Sequence, residues 1–106
     1  MVENPDSMQP RAPSTGAEWR EAVDAAYAAA LIDAAVGLGL LEEGPRVDVG
    51  RCRRLILRGG ELGFRPRREA VVRIVAGLIG EPRPGLARRF AERLYEQHRP
   101  AGLEGV

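Results

Sequence analysis

From Ala25 to Leu41 the chain reads AAYAAALIDAAVGLGLL, an apolar stretch broken by a single charge at Asp33. A helix that is apolar on every side requires packing partners on more than one face. Upstream, Ser14-Thr15-Gly16-Ala17-Glu18 has the form of a capping box, with Thr15 as N-cap, so the spacing predicts a helix that begins there. Trp19, Val23, Ala26, Ala30 and Ala34 share one face, and Ala25, Ala29, Ile32 and Val36 occupy roughly the opposite one. The second half of this helix is therefore expected to lack a solvent side. Gly37 and Gly39 end it, and Glu42-Glu43-Gly44-Pro45 is a turn.

Asp48 is the predicted N-cap of a second helix, whose Val49, Cys52, Leu55, Ile56 and Gly59 fall on one side. Gly59-Gly60 weakens its end, and Gly63-Phe64 suits a stop in which glycine turns left-handed and Phe folds back on the last turn. A third helix is expected to open at Arg65-Pro66 and run to about Gly80, with Val71, Ile74, Val75 and Leu78 inward. After the stiff connector Glu81-Pro82-Arg83-Pro84-Gly85, a fourth is defined by Leu86, Ala87, Phe90, Ala91 and Leu94. No strand alternation or internal repeat appears. The pattern predicts an all-α bundle of about four helices: a disordered tail over residues 1–13, one helical domain over 14–98, and a frayed C-terminal tail over 99–106.

Composition adds three constraints. A chain of 106 residues has room for one domain with a modest core, so a large apolar face left over is a candidate interface. The basic residues are all arginine, a bias we ascribe to GC-rich codon usage before function. Net charge is +1, yet it is polarised: residues 1–45 hold eight acids against two arginines, a balance of −6, and residues 46–99 hold fourteen arginines against six acids, a balance of +8. The lone Cys52 forms no internal disulfide, which favours a reducing, cytoplasmic setting. The first residues have neither the basic nor the apolar region of a signal peptide. A membrane span over 25–41 is not expected: the run is short, and an acid near its centre costs about 2.5–3.5 kcal/mol on insertion.

Catalytic equipment is sparse. The serine and threonine hydroxyls are Ser7, Ser14 and Thr15, in the tail or first cap, and the single imidazole is His98 at the end of the fourth helix. A nucleophilic triad would need a serine from the tail, poor material for a preorganised site. Cys52 lies on the apolar face of its helix, where a thiol is inert filler. Ligand spacing for a metal is absent, RGGELG lacks the spacing of a phosphate loop, and no catalytic residue, cofactor or small-molecule substrate is expected.

The charged positions carry more information. Asp33, amid Ala, Leu and Ile, is expected to form an interhelical ion pair with an arginine, most simply from the second helix. Arg51, Arg54 and Arg58 recur along one face of that helix, with Arg53 beside them. Like charges at this spacing repel, so they call for an acidic counterpart, either Glu18, Glu21 and Asp24 of the first helix or an external partner. Arg65, Arg67 and Arg68 cluster at the start of the third helix, where cations are disfavoured and a bound anion would reverse the penalty. A helix-turn-helix reading of helices two and three fails at the reading head, since Glu69, Arg73, Ala76 and Gly80 offer little to base edges.

The sequence thus favours a non-catalytic interaction module, an adaptor, regulator or accessory subunit of a larger assembly. Its partner is expected to be a protein or a second copy. Two candidate surfaces follow: an apolar interface of Ile32, Val36, Leu38, Leu40 and Leu41, and a partner- or anion-binding set of Arg51, Arg54, Arg58, Arg65, Arg67 and Arg68. The competing expectation is a nucleic-acid-associated protein of low sequence specificity, held by the arginine stripe.

Overall fold

The computed structural model describes residues 13–80, 84–100 and 103, and every regular element among them is a helix. In chain order these are α1 (Gly16–Gly37), α2 (Val49–Glu61), α3 (Arg68–Ile79) and α4 (Pro84–Gln97). The tail expected over residues 1–13 lies, apart from Pro13, outside the described residues.

The caps form where the sequence placed them. Thr15 Oγ1 accepts the Glu18 N–H at 3.1 Å, while the Glu18 carboxylate reaches one residue further back, to the Ser14 N–H at 2.9 Å. Asp48 Oδ1 accepts the Arg51 N–H at 3.0 Å and starts α2. At its other end Gly63 adopts φ 92°, the Phe64 N–H bonds back to the Gly59 carbonyl at 2.7 Å and the Gly63 N–H to that of Gly60 at 3.1 Å. This is the paired stop that needs a left-handed residue, which glycine supplies without steric cost. The same pairing ends α1, with Gly39 at φ 76° and the Leu40 N–H on the Ala35 carbonyl at 2.9 Å.

Helix α1 is the hub. It packs against α2 on one flank and α3 on the other, α4 lies chiefly on α3, and α2 and α3 do not pack on each other. Tyr27, Leu31, Ile32 and Ala35 of α1 meet Ile56 of α2, Val71, Val72 and Val75 of α3, and Ala91 and Leu94 of α4 in one core. The Tyr27 and Tyr95 rings lie 5.8 Å apart, tilted at 53°, and tie α1 to α4. At Gly59 α2 lies close against α1: a Cβ there would collide with the Val23 side chain and touch Trp19.

Three expectations are corrected. Helix α3 starts at Arg68 rather than Arg65-Pro66, because the Arg67 backbone is held in extended form as the N-cap residue by a contact from α1. Leu78, expected inward, is exposed, and Val72 is buried in its stead. The chain end is not frayed at its described positions: Pro100 is fully buried, and Leu103, 1% exposed, enters the core with its N–H on the Pro100 carbonyl at 3.0 Å. Arg99 caps the last turn of α4 through the Tyr95 and His98 carbonyls and lies over the Tyr95 ring.

Candidate interaction surface

The buried charge among the described residues is Asp24, 1% exposed. At helical spacing it shares a face with Ala28, Leu31 and Ala35, all buried, so the fold carries it inward with them. Its Oδ1 accepts the Arg67 backbone N–H at 2.8 Å, and its Oδ2 accepts Nε and Nη2 of the Arg67 guanidinium at 2.9 and 2.6 Å. One carboxylate thus satisfies a donor at the start of α3, places a negative charge near its positive end, and joins α1 to α3. The pair expected at Asp33 does not form. Asp33 aligns with Ala22 and Ala29 on the side of α1 that its neighbours leave uncovered and is exposed there.

The basic group at the head of α3 is largely taken up within the fold. Arg67 is bound to Asp24, and Arg68 bridges Glu96 at 2.7 Å, Glu69 at 3.1 Å and Glu92 at 3.2 Å, with Glu69 in turn bonded by Arg88 at 2.9 Å. The Arg88 guanidinium, with Arg68 and Arg73 adding to it, holds the Glu69 carboxyl below its ordinary range. Carboxylates of this chain therefore occupy the positions an external anion would take at Arg67 and Arg68. Arg65 is exposed beside them.

Along α2, Arg51, Arg54 and Arg58 are exposed. Arg58 is paired with Glu61 at 2.8 Å on its own helix. Of the acids of α1 expected as counterparts, Glu18 is engaged by Ser14, which together with Thr15 holds its carboxyl below its usual value, Asp24 is engaged by Arg67, and Glu21 is exposed and lines the depression that also holds Arg73. The stripe thus stands at the surface rather than serving as the seam between α1 and α2.

Because α2 and α3 flank α1 without meeting, they leave a trough along it. Its floor is Ala22, Ala25 and Ala29, and its walls are Cys52 and Leu55 from α2 and Leu78 from α3, enclosing about 450 Å³. Arg46, Asp48 and Arg51 stand on the α2 rim. An adjoining depression of about 340 Å³ extends it from Ala25 toward Ala70, Arg73 and Ile74. The solvent side that the sequence seemed to deny to α1 is thus this alanine face, apolar and open. Helical spacing had grouped Ala25 and Ala29 with Val36, but it did not show that this is the face the neighbouring helices leave bare.

The apolar interface expected around the end of α1 divides. Ile32 is part of the core and Leu41 packs against it, while half-buried Val36 lies with Ile32 close to Gly44. Leu38, 62% exposed, and Leu40, 45% exposed, remain available at the α1 terminus, with Leu40 bordering a small depression shared with Phe90 and His98.

Burial, aided by nearby Asp48, pushes the Cys52 thiol above its ordinary pKa against the opposing pull of Arg51, which disfavours the thiolate. Cys52 lines the trough, whereas His98 lies in the separate depression beside Leu40. Among the described residues no three His, Cys, Asp or Glu side chains gather in a metal-binding arrangement, and no helix is long and apolar enough to cross a membrane. Comparison with known proteins finds no match to a family model, to a curated protein or to a solved structure.

Proposed function

We propose that this chain is a non-catalytic helical interaction module, an adaptor or accessory subunit that receives a protein partner on the open face of α1. The observation that carries this reading is the trough: a central helix flanked on both sides whose third face is alanine, open among the described residues, and bordered by Pro13, Leu55 and Leu78. A helix face that meets only water ordinarily carries charged or polar residues. Small apolar residues there add nothing to solubility, but they allow another backbone to approach closely and lose water on contact. The α2 rim of the trough carries Arg46, Asp48 and Arg51, so the apolar floor has a polar border.

Phosphate backbones fit this surface less well than a protein does. They would satisfy the arginines but leave the alanine floor, Cys52 and Leu55 unused, and Arg58 already has Glu61 as a neighbour. The test compares what the wild-type chain and an Ala25→Trp variant retain from cells, after circular dichroism has established equal helix content. A defined protein retained by the wild type and lost from the variant is the expected result. Identical retention by both, or retention of nucleic acid alone, would overturn the proposal.

A further inference from the structure

Resting on the reading of the trough as a docking surface, we infer that the stretch of this chain leading into Pro13, anchored by Met8, lies in the trough and competes with the partner for it. The path of the chain carries the inference. Pro13 is half-buried and lines the trough together with Ala22, Ala25 and Leu55, so the chain enters α1 from the trough side. The floor from Ala22 to Ala29 runs about 10 Å along α1. The residues from Met8 to Ala12, when extended, span about 15 Å. The stretch next to Pro13 is therefore long enough to cover the floor.

The residue types suit that floor. Met8 is long and unbranched, and alanines set between Cys52, Leu55 and Leu78 leave room that a flexible thioether side chain fills. Pro10 and Pro13 fix their own φ and bring no N–H, so the stretch loses less freedom on docking and strands fewer donors against an apolar surface. Charge does not select the occupant, because Arg46, Asp48 and Arg51 share the α2 rim and Asp33 is exposed on the same side of α1. Connection does. A segment tethered at the edge of its site has an effective concentration of about 1 mM, so an intrinsic affinity of about 0.1 mM fills the trough about nine-tenths of the time. A protein partner must displace it, and that lowers the partner's apparent affinity about tenfold. The stretch is thus a built-in competitor that sets how much partner the module needs.

The native thiol reads the occupancy. Cys52 lines the trough and is the sole cysteine, so its rate of reaction with a small aromatic disulfide reagent, measured on the full chain, reports whether the trough is covered. Met8→Asn, which adds no charge near the thiol, should raise that rate about tenfold with an unchanged circular dichroism spectrum, and Met8→Leu should stay near wild type. Adding a synthetic peptide of residues 1–13 at about 1 mM to the Met8→Asn chain should restore slow labelling, and the same peptide carrying Asn at position 8 should not. Equal rates for wild type and Met8→Asn, or no protection by the wild-type peptide, would overturn the inference. So would protection of the wild type that grows with its own concentration, which would assign the trough to a second copy. Equal rates combined with a cellular protein retained by the wild type and lost from Ala25→Trp would keep the docking surface and refute the competitor alone. Release of Cys52 in Met8→Asn with no protein retained by either chain would keep the stretch in the trough and remove the partner.

Discussion

Removing the Asp24 carboxylate is the sharpest perturbation of the fold. Asp24→Ala deletes two charge-assisted bonds to the Arg67 guanidinium and one to its backbone N–H. Hydrogen bonds to charged groups contribute about 1.5–3 kcal/mol each when sequestered. The guanidinium is 54% exposed and rehydrates once released, so its share lies at or below the low end of that range. The backbone bond resembles a lost helix cap, about 1 kcal/mol. These terms are not additive, and we expect Asp24→Ala to cost about 2–3 kcal/mol in urea unfolding followed by circular dichroism, with an unchanged m-value. Arg67→Ala should cost more, about 3–4 kcal/mol, because it strands a carboxylate that is 1% exposed with one amide for company. The double variant should then be no less stable than Arg67→Ala alone, since deleting the acid removes the stranded charge. Asp33→Ala, at an exposed site, should lie within about 0.5 kcal/mol of wild type. A near-neutral Asp24→Ala, or a double variant equal to the sum of the single costs, would refute this reasoning.

Gly59→Ala should destabilise by about 1–3 kcal/mol in the same assay, because the new methyl collides with Val23 at the α1/α2 contact. Its neighbour Gly60 has open space around it, so Gly60→Ala should stabilise by about 0.4–1 kcal/mol. Leu103→Ala should cost about 2–5 kcal/mol and lower the thermal midpoint, whereas a frayed end would tolerate it. Because the folded-state pKa values of Glu18 and Glu69 are depressed from 4.5, their contribution is fully present above that value and is lost as pH falls through the folded values. An acid titration of the melting temperature should therefore decline below about pH 4.5, with Glu69→Gln flattening the decline. A melting temperature unchanged by acid would contradict it.

Local rules made much of the fold legible. The Thr15 and Asp48 caps and the left-handed Gly63 each depend on a few neighbouring residues, and each forms as the sequence implied. What depends on contacts distant in sequence was less accessible. Asp33 drew attention because its neighbours are apolar, yet burial is decided by which face the other helices cover, and that face includes Asp24. The Asp24–Arg67 bond then delays the start of α3, which a proline at position 66 had placed earlier. Leu103 is isolated in sequence from any periodic run, so only the assembled core explains its burial. The candidate site was half legible for the same reason. The arginine stripe of α2 could be seen from its spacing, but the trough exists because α2 and α3 straddle α1 without touching.

That trough is tested most directly by a benzophenone amino acid placed at position 25 on its floor, with position 89 on exposed α4 as control, followed by irradiation in cells. The account predicts a discrete protein adduct from position 25, absent from position 89. No adduct from position 25, or the same products from both positions, would contradict it.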